Sequence, residues 1–314
     1  MNKTDYSGIS MRDAFFDRVY ELAKEDRDIT IISADMGAPA LDKFRMDFRD
    51  RFYNIGIAEQ NMISVASGMA SEGKKVFTFA IAPFITSRCY EFTKLNAGLM
   101  KFPIFLVGCG TGFGYDDSGP THHTTEDISI MRAIPNIDIW SPSDSISARK
   151  SAELVYSDNN PAYVRLDREV LPQIHDSQFN GEGYLVFPGS VNPPSLAIIA
   201  TGNMVHNALK VQQILGKEGT SLDVIELYKL KKVTDKLTVE LSQYKQLVSV
   251  EEHLLDGGLG SIVSEIITDN CLDTKLRRIG LEDYIYAYGG RENIQRICGI
   301  DNQSVIEQIR RIIG

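Results

Sequence analysis

Two short segments of the sequence carry side chains that are suited to acid–base chemistry. Glu59 follows a glycine turn at Gly56 and begins a predicted helix, where its carboxyl group could hold a proton against a bound ligand. His122 lies in a loop bounded by Gly119 and Pro120, and an imidazole there could move protons near neutral pH or stabilise a developing alkoxide. A glutamate in a first helical turn and a histidine in a polar loop are also common without any catalytic role, so their surroundings must decide.

Arginines are the candidate ligands for an anion, because a guanidinium group can bind phosphate through paired hydrogen bonds. The four considered are Arg12, Arg88, Arg165 and Arg168. Arg12 begins a predicted helix and Arg168 follows the end of a predicted strand, so these two are favoured. His123 adjoins His122 and is either a second substrate contact or a spectator. Two adjacent histidines are too few ligands to indicate a catalytic zinc.

The composition of the 314 residues predicts a soluble protein that binds neither nucleic acid nor membrane. The length is enough for two α/β domains, the hydrophobic fraction of 43% supports sizeable cores, and the net charge is −9. Nucleic acids and anionic membranes are bound by clusters of Lys and Arg, so neither is expected as a partner. The start, Met1–Tyr6, lacks the apolar core of a signal peptide, and the scattered cysteines form no disulfide or metal pattern. We therefore expect a cytoplasmic protein.

Apolar runs alternate with amphipathic stretches along the first half of the chain, which predicts parallel βαβ units. The predicted strands are Ile29–Ala34, Lys75–Phe79, Ile104–Cys109, Ile137–Trp140 and Ala162–Leu166. The predicted helices are Met11–Lys24, Glu59–Ser71, Ser87–Leu99 and Ser145–Tyr156. Asp144 is suited to cap the last helix. The small residues of the helix Glu59–Ser71 favour close packing, either within the chain or at a subunit interface.

A stretch rich in glycine and proline, residues 176–195, interrupts this alternation and is predicted to connect two domains. Beyond it, the predicted strands are Leu196–Ala200, Leu222–Leu227, Leu247–Val250 and Lys275–Ile279. The predicted helices are His206–Leu215, Gly260–Thr268 and Gln303–Ile313. We therefore expect two domains, residues 1–180 and 195–314, joined by a linker over residues 181–194. Each should be a mainly parallel sheet flanked by helices.

Several motifs taken together resemble the C-terminal half of the transketolase family. The most specific are Asn54–Met62, Ser118–His123 with the sequence Ser-Gly-Pro-Thr-His-His, Met131–Ile137 and Val250–Gly260. The resemblance covers nearly the whole chain. It implies a domain that binds the pyrimidine end of thiamine diphosphate, followed by a transketolase C-terminal domain.

The resemblance also implies roles for the candidate residues. Glu59 would hold a proton against a ring nitrogen of the cofactor's aminopyrimidine, and His122 would lie near the reacting carbonyl. Phe84 is the preferred ring to stack on the pyrimidine and exclude water, although such a ring is as often part of a core. Ile57 and Arg88 are the other predicted cofactor contacts. The predicted substrate contacts are Arg12, His122, His123 and Arg168.

The diphosphate end of the cofactor has no predicted site in this chain. A full-length transketolase holds Mg²⁺ and the diphosphate in its N-terminal domain, with a Gly-Asp-Gly motif and a downstream Asn. No Gly-Asp-Gly occurs here. The resemblance therefore implies a split enzyme in which an N-terminal-type partner subunit holds Mg²⁺, and no metal ligand is predicted in this chain. Since each cofactor of the family lies between two chains, a heterotetramer is expected.

The implied activity is transfer of a two-carbon ketol unit from a ketose to an aldose, by a chain that is active only with its partner. Two departures from the family limit the substrate prediction. The family has an acid directly before the Gly-Pro-Thr-His element, where this chain has Ser118 with Asp117 one position earlier. The family's upstream loop histidine is missing from Gly108–Gly110. The expected substrate is either a sugar phosphate or a modified or unphosphorylated sugar.

Two other functions stay open. The first is the β subunit of a 2-oxoacid dehydrogenase decarboxylase component, against which the Gly-Pro-Thr-His loop argues. A deoxyxylulose-phosphate-type synthase is a related possibility, less favoured because such enzymes are usually one chain. The second is a non-catalytic scaffold subunit of the same fold, against which the presence of both Glu59 and His122 argues.

Overall fold

The computed structural model describes residues 6–176, 179, 181–190 and 195–313. Its first half contains six strands: β1 (Ile29–Ser33), β2 (Phe52–Asn54), β3 (Lys75–Ile81), β4 (Ile104–Cys109), β5 (Asp138–Trp140) and β6 (Ala162–Leu166). They form one sheet in the order β2-β1-β3-β4-β6-β5, and every pair of neighbours is parallel. Strands β1, β4, β5 and β6 are buried along their whole length, as expected for a sheet covered on both faces.

Helices cover both faces of this first sheet. They are α1 (Met11–Glu25), α2 (Pro39–Asp47), α3 (Glu59–Ser71), α4 (Ala82–Thr86), α5 (Tyr90–Thr93), α6 (Asp127–Arg132) and α7 (Ser145–Asp158), with a 3₁₀ turn at Arg49–Arg51 and a π-helical turn at Lys94–Leu99. Asp144 caps α7 with a reciprocal bond to Ser147, which confirms the predicted cap.

The predicted helix Ser87–Leu99 is wrong in its form. Ser87 instead caps the end of α4, the short helix α5 begins at Tyr90, and the π-helical turn Lys94–Leu99 follows α5. Cys89 interrupts the helical backbone with φ −103° and ψ 10°. Asn96 Nδ2 then bonds to the carbonyl of Phe92 at 2.8 Å, and such side-chain bonds compete with the regular helix pattern.

The second half forms a smaller, mostly parallel sheet. Its strands are β7 (Tyr184–Phe187), β8 (Leu196–Ala200), β9 (Asp223–Leu227), β10 (Gln246–Leu254) and β11 (Lys275–Leu281), in the order β11-β10-β8-β9-β7. Its helices are α8 (Met204–Lys217), α9 (Asp235–Leu241), α10 (Leu259–Asp269), α11 (Arg291–Ile297) and α12 (Asn302–Ile313). Two sheets of this kind, each flanked by helices, confirm the predicted fold class.

The segment predicted as the interdomain linker contains strand β7. This strand pairs antiparallel with β9 and so forms an edge of the second sheet. Its side chains are only partly buried, which is why the sequence gives a weak strand signal. Residues 191–194 of the predicted linker lie outside the described residues, and the exact domain limits remain a prediction.

The carboxyl ends of the parallel strands lie at one edge of the first sheet, and the candidate residues lie in the segments that come directly after these strands. β2 leads into Glu59, β3 leads into Phe84 in α4, and β4 leads into the loop that carries His122. Arg168 follows β6 by two positions. The topology therefore gathers segments that are far apart along the chain. Within the described ranges, no helix is both long and apolar enough to cross a bilayer.

Candidate active site

Glu59 is a buried carboxylate at the start of α3. The chain reaches it through a turn at Gly56, whose φ of +71° lies in the left-handed region that favours glycine. The Glu59 side chain is 3% exposed, and its Oε2 atom accepts a hydrogen bond from Arg88 Nη1 at 2.7 Å. The free N–H groups of the first helical turn lie at the same end of α3. An acid in this position is suited to hold a polar ligand group away from water.

Phe84, Arg88 and His122 complete one contiguous group with Glu59. The guanidinium carbon of Arg88 lies 4.0 Å from the centroid of the Phe84 ring. The ring centroids of Phe84 and His122 are 5.2 Å apart, in an edge-to-face arrangement. Three of the four predicted cofactor residues, Glu59, Phe84 and Arg88, are thus brought together with His122, so both predicted catalytic residues lie in one group. The fourth predicted cofactor residue, Ile57, lies on the surface just before α3 and is 77% exposed.

A tight turn at Gly119 orients the two histidines of the loop. The Gly119 carbonyl accepts hydrogen bonds from the backbone N–H groups of His122 at 3.0 Å and His123 at 3.2 Å. Gly119 has a φ of +75°, so a glycine is favoured here. Thr121 Oγ1 lies 3.0 Å from His122 Nδ1, which leaves Nε2 as the ring nitrogen available to a ligand.

His123 is separated from this group by its burial. It is 3% exposed and packs edge-on against Phe113, with the ring centroids 5.0 Å apart. Neither ring nitrogen has a hydrogen-bond partner among the described residues. Burial lowers the pKa of His123, and the charges of Glu252 and Asp116 only partly oppose that effect. The imidazole is therefore neutral near pH 7 and turned away from the solvent side of the loop.

Arg168 packs over Tyr115, whose ring neighbours His122, and the charge of Arg12 also acts on Tyr115. The Arg168 guanidinium carbon is 4.7 Å from the centroid of the Tyr115 ring, whose centroid is 6.2 Å from that of His122. Burial raises the pKa of Tyr115 to about 12, although the charges of Arg168 and Arg12 both oppose this shift. Arg168 is about half exposed and only loosely paired with Asp117, at 3.7 Å. Both guanidinium groups are thus within electrostatic reach of one aromatic ring beside the candidate site.

The guanidinium group of Arg165 is buried and already paired, so it is not available to an anionic ligand. It is 5% exposed, and its Nε and Nη2 atoms donate to the two oxygens of Asp127 at 2.6 and 3.1 Å. Tyr163 donates to the same carboxylate at 2.7 Å. Although burial raises the pKa of Asp127, the charge of Arg165 outweighs it and holds that pKa below its ordinary value. Arg165 is therefore a structural cation, whereas Arg12 is a quarter exposed and pairs with Asp13 at 3.1 Å, and Arg168 is about half exposed.

An interdomain ion cluster supports the histidine loop from behind, and the sequence interpretation missed it. Arg291 at the start of α11 donates to Glu252 at 2.6 Å and to Asp167 at 3.0 Å. Its backbone N–H donates to Asp116 at 2.8 Å, and Glu252 accepts the N–H of Phe113 at 2.8 Å. Both domains thus hold the loop in place. Two acids in succession, Glu251-Glu252, directly after the apolar residues Leu247, Val248 and Val250 were the signal available in the sequence.

The residues around Glu59 fit an aminopyrimidine ring. A ring nitrogen needs a carboxyl partner that is shielded from water, and Glu59 supplies one. The face of the ring needs an aromatic surface, and Phe84 supplies it within the same group of contacts. Across the described part of the chain, no group of three or more His, Cys, Asp or Glu side chains is arranged to hold a metal ion.

Comparison with known proteins agrees with this architecture. Residues 7–173 match the family model of the transketolase pyrimidine-binding domain, and residues 191–305 match that of the transketolase C-terminal domain. The chain is 31% identical to a putative transketolase C-terminal section of Methanocaldococcus jannaschii, with 95% of each chain covered. It is also 31% identical to one of the subunits of an apulose-4-phosphate transketolase of Actinobacillus succinogenes, covering 93% of this chain and 94% of that one.

A solved structure extends the likeness to three dimensions. A split-gene transketolase, described as an inactive β4 tetramer, superposes with a TM-score of 0.87 and 26% identity, covering 97% of this chain and 98% of that one. The predicted family is confirmed by these matches. The chain therefore belongs to the transketolase family, and over its length it corresponds to the separately encoded C-terminal subunit of a split transketolase.

Proposed function

We propose that this chain is the pyrimidine-binding subunit of a two-subunit transketolase that depends on thiamine diphosphate. It would transfer a two-carbon ketol unit from a ketose to an aldose. The observation that carries the proposal is the placement of Glu59, buried at the start of α3 and in one contact group with Phe84 and His122. The pyrimidine-binding domain itself implies thiamine diphosphate as the cofactor.

Each residue of the group has a distinct task. When bound, the cofactor supplies the carbanion that breaks and forms the carbon–carbon bond. Glu59 holds a proton at the ring nitrogen of the aminopyrimidine, and burial keeps water from competing for that position. Phe84 stacks on the ring, and Ile57 borders it. His122 donates to or accepts from the sugar oxygens through its free ring nitrogen.

The substrate is proposed to be a sugar with an anionic end. The charges of Arg12 and Arg168 both act on Tyr115, and Arg168 is about half exposed and weakly paired. A planar guanidinium binds a phosphate or sulfonate group through paired hydrogen bonds. The relative from Actinobacillus succinogenes is named for a phosphorylated sugar, apulose 4-phosphate. His123 is a less direct substrate contact, because its buried ring packs on Phe113.

A partner subunit is proposed to hold Mg²⁺ and the diphosphate, in a heterotetramer with two copies of each chain. The relatives that this chain matches nearly end to end are named as a section or a subunit. The structural neighbour, a tetramer of β subunits alone, is described as inactive. Both observations support an enzyme that needs a second kind of chain.

The outer side of α3 is the proposed surface for self-association. Ala66 and Ala70 pack into the core, whereas a Cβ atom on Gly68 would meet nothing within 4 Å. The neighbouring π-helical turn is joined to α3 by a 2.8 Å bond between Ser67 and Asn96. Three exposed apolar side chains lie on or directly after this turn: Leu95, Leu99 and Met100. Exposed apolar residues that lie together are typical of a subunit interface.

The direct test is Glu59→Gln in the complex that co-purifies with the tagged chain. Ketol transfer between a ketose phosphate and an aldose should fall by about two to four orders of magnitude, the usual contribution of a proton-transfer group. Assembly, measured by size-exclusion chromatography, should be unchanged. Glu72→Gln is the matched control, since Glu72 ends the same helix and is exposed. Full activity of Glu59→Gln, or equal losses in both variants, would contradict the assignment.

A further inference from the structure

Arg88 makes both of the contacts that the aminopyrimidine ring is expected to make. Its Nη1 atom donates to Glu59 Oε2 at 2.7 Å, and its guanidinium carbon lies over the Phe84 ring, 4.0 Å from the ring centroid. The Arg88 carbonyl accepts a bond from Gln60 Nε2 at 3.1 Å, which fixes the backbone close to the start of α3. One side chain thus bridges the acid and the aromatic ring of the proposed site.

A guanidinium group and an aminopyrimidine ring share a recognition chemistry. Both are flat, both present N–H donors along an edge, and both stack on an aromatic face. The guanidinium group already occupies one oxygen of Glu59 and the face of Phe84 that is turned toward it. A ring that took both contacts would therefore have to displace Arg88 from them.

The two ends of the ion pair differ in their access to water. The Glu59 side chain is 3% exposed, whereas the Arg88 side chain is 39% exposed. A buried carboxylate without a partner is costly, because it has lost its hydration and gained no counter-charge. Arg88 can turn into solvent at little cost, but Glu59 cannot follow it. The pair is thus built so that the arginine moves and the acid stays.

We propose that Arg88 is a displaceable occupant of the pyrimidine site, which compensates Glu59 until the cofactor binds and then moves into solvent. This inference rests on the proposed function, since it takes Glu59 and Phe84 as the pyrimidine contacts. It gives Arg88 a role opposite to that of a simple cofactor ligand. Removing the arginine should strengthen cofactor binding and lower the stability of the cofactor-free protein.

The test is the dissociation constant of thiamine diphosphate, with Mg²⁺, measured by calorimetry on the complex purified from its host. Arg88→Ala should lower this constant about five- to tenfold, as expected for loss of a partly exposed ion pair and a stacking contact. Arg88→Lys, which keeps the charge but not the flat stacking group, should fall in between. Arg45→Ala is the matched control and should change nothing, because Arg45 is 44% exposed, pairs with Asp42 and lies 5.4 Å from the centroid of the Phe52 ring.

A second measurement requires no cofactor. Arg88→Ala should lower the melting temperature of the cofactor-free protein, and adding Glu59→Gln should recover part of the loss, because the neutral amide needs no counter-charge. Weaker or unchanged cofactor binding by Arg88→Ala would overturn the inference and leave Arg88 as a ligand or a bystander. If the wild-type complex binds no thiamine diphosphate, the proposed function fails and this inference falls with it.

Discussion

Replacement of Arg291 by methionine tests how the two domains hold the histidine loop. The substitution keeps an unbranched chain of similar length and removes the guanidinium group. It leaves the carboxylates of Glu252 and Asp167, which are 5% and 0% exposed, without their shared cation. Breaking a buried ion pair by removing one partner costs about 3–5 kcal/mol.

The substitution removes the cation from two carboxylates, but both keep other hydrogen bonds. The cost in free energy of unfolding should therefore not be twice that of one broken pair. Glu252 still accepts from Phe113 N at 2.8 Å and from Gln295 Nε2 at 2.7 Å. Asp167 still accepts the N–H of Glu169 at 2.9 Å. We therefore expect Arg291→Met to lower the free energy of unfolding by about 4 kcal/mol in total, within the range for one broken buried pair.

Urea unfolding, followed by tryptophan fluorescence, measures this change. Trp140 is the chain's one tryptophan and is 2% exposed, and its ring stacks near Tyr228 of the second domain. With a slope of about 3 kcal/mol per molar urea, the midpoint should fall by roughly 1–2 M. Arg310→Met is the control, because Arg310 forms an exposed pair with Glu218 that is worth at most about 1 kcal/mol. A loss for Arg291→Met that is under about 1 kcal/mol, or equal to the control, would refute the reasoning.

Two further predictions concern pH and the loop glycine. Burial lowers the pKa of His175, but the charge of Glu226 and the hydrogen bonds to Asp144 and Glu226 raise it to about 10, above the ordinary 6.5. The stability that this shift contributes is fully present below about pH 6.5 and is lost as the pH rises through about 10. His175→Gln should therefore flatten the pH dependence of the free energy of unfolding in urea over that window. If the free energies of wild type and variant change with pH in parallel, the prediction is contradicted. Gly119→Ala should lower the kcat of ketol transfer, because the new Cβ would lie 2.8 Å from Tyr288 Oη and the φ of +75° disfavours alanine. Adding Tyr288→Phe removes that oxygen and should restore part of the kcat, whereas an unchanged double variant would disprove the contact.

The order of strands and helices could be largely predicted from the sequence, because it depends on local patterns. Apolar, β-branched runs such as Ile104–Cys109 are short and bounded, and the structure gives the same limits for that strand. The helix Glu59–Ser71 also has the predicted limits, because a glycine turn precedes it and a regular apolar pattern follows. Short or half-exposed elements, such as β7 and α11, were missed because their local pattern is weak.

The sequence by itself determined that Glu59 begins a helix and that His122 lies in a loop of a transketolase-type chain. Each residue stands within a short motif whose residues are consecutive in the chain, so the motif can be recognised without the structure. Only the tertiary structure decided which side chains meet. Nothing local in the sequence distinguishes the roles of Arg88 and Arg165, yet Arg88 donates to Glu59 and the buried Arg165 donates to Asp127. The bond from Phe113 to Glu252 joins residues 139 positions apart. Long polar side chains can reach many partners, and the choice among them depends on how the two sheets pack, which no local pattern encodes.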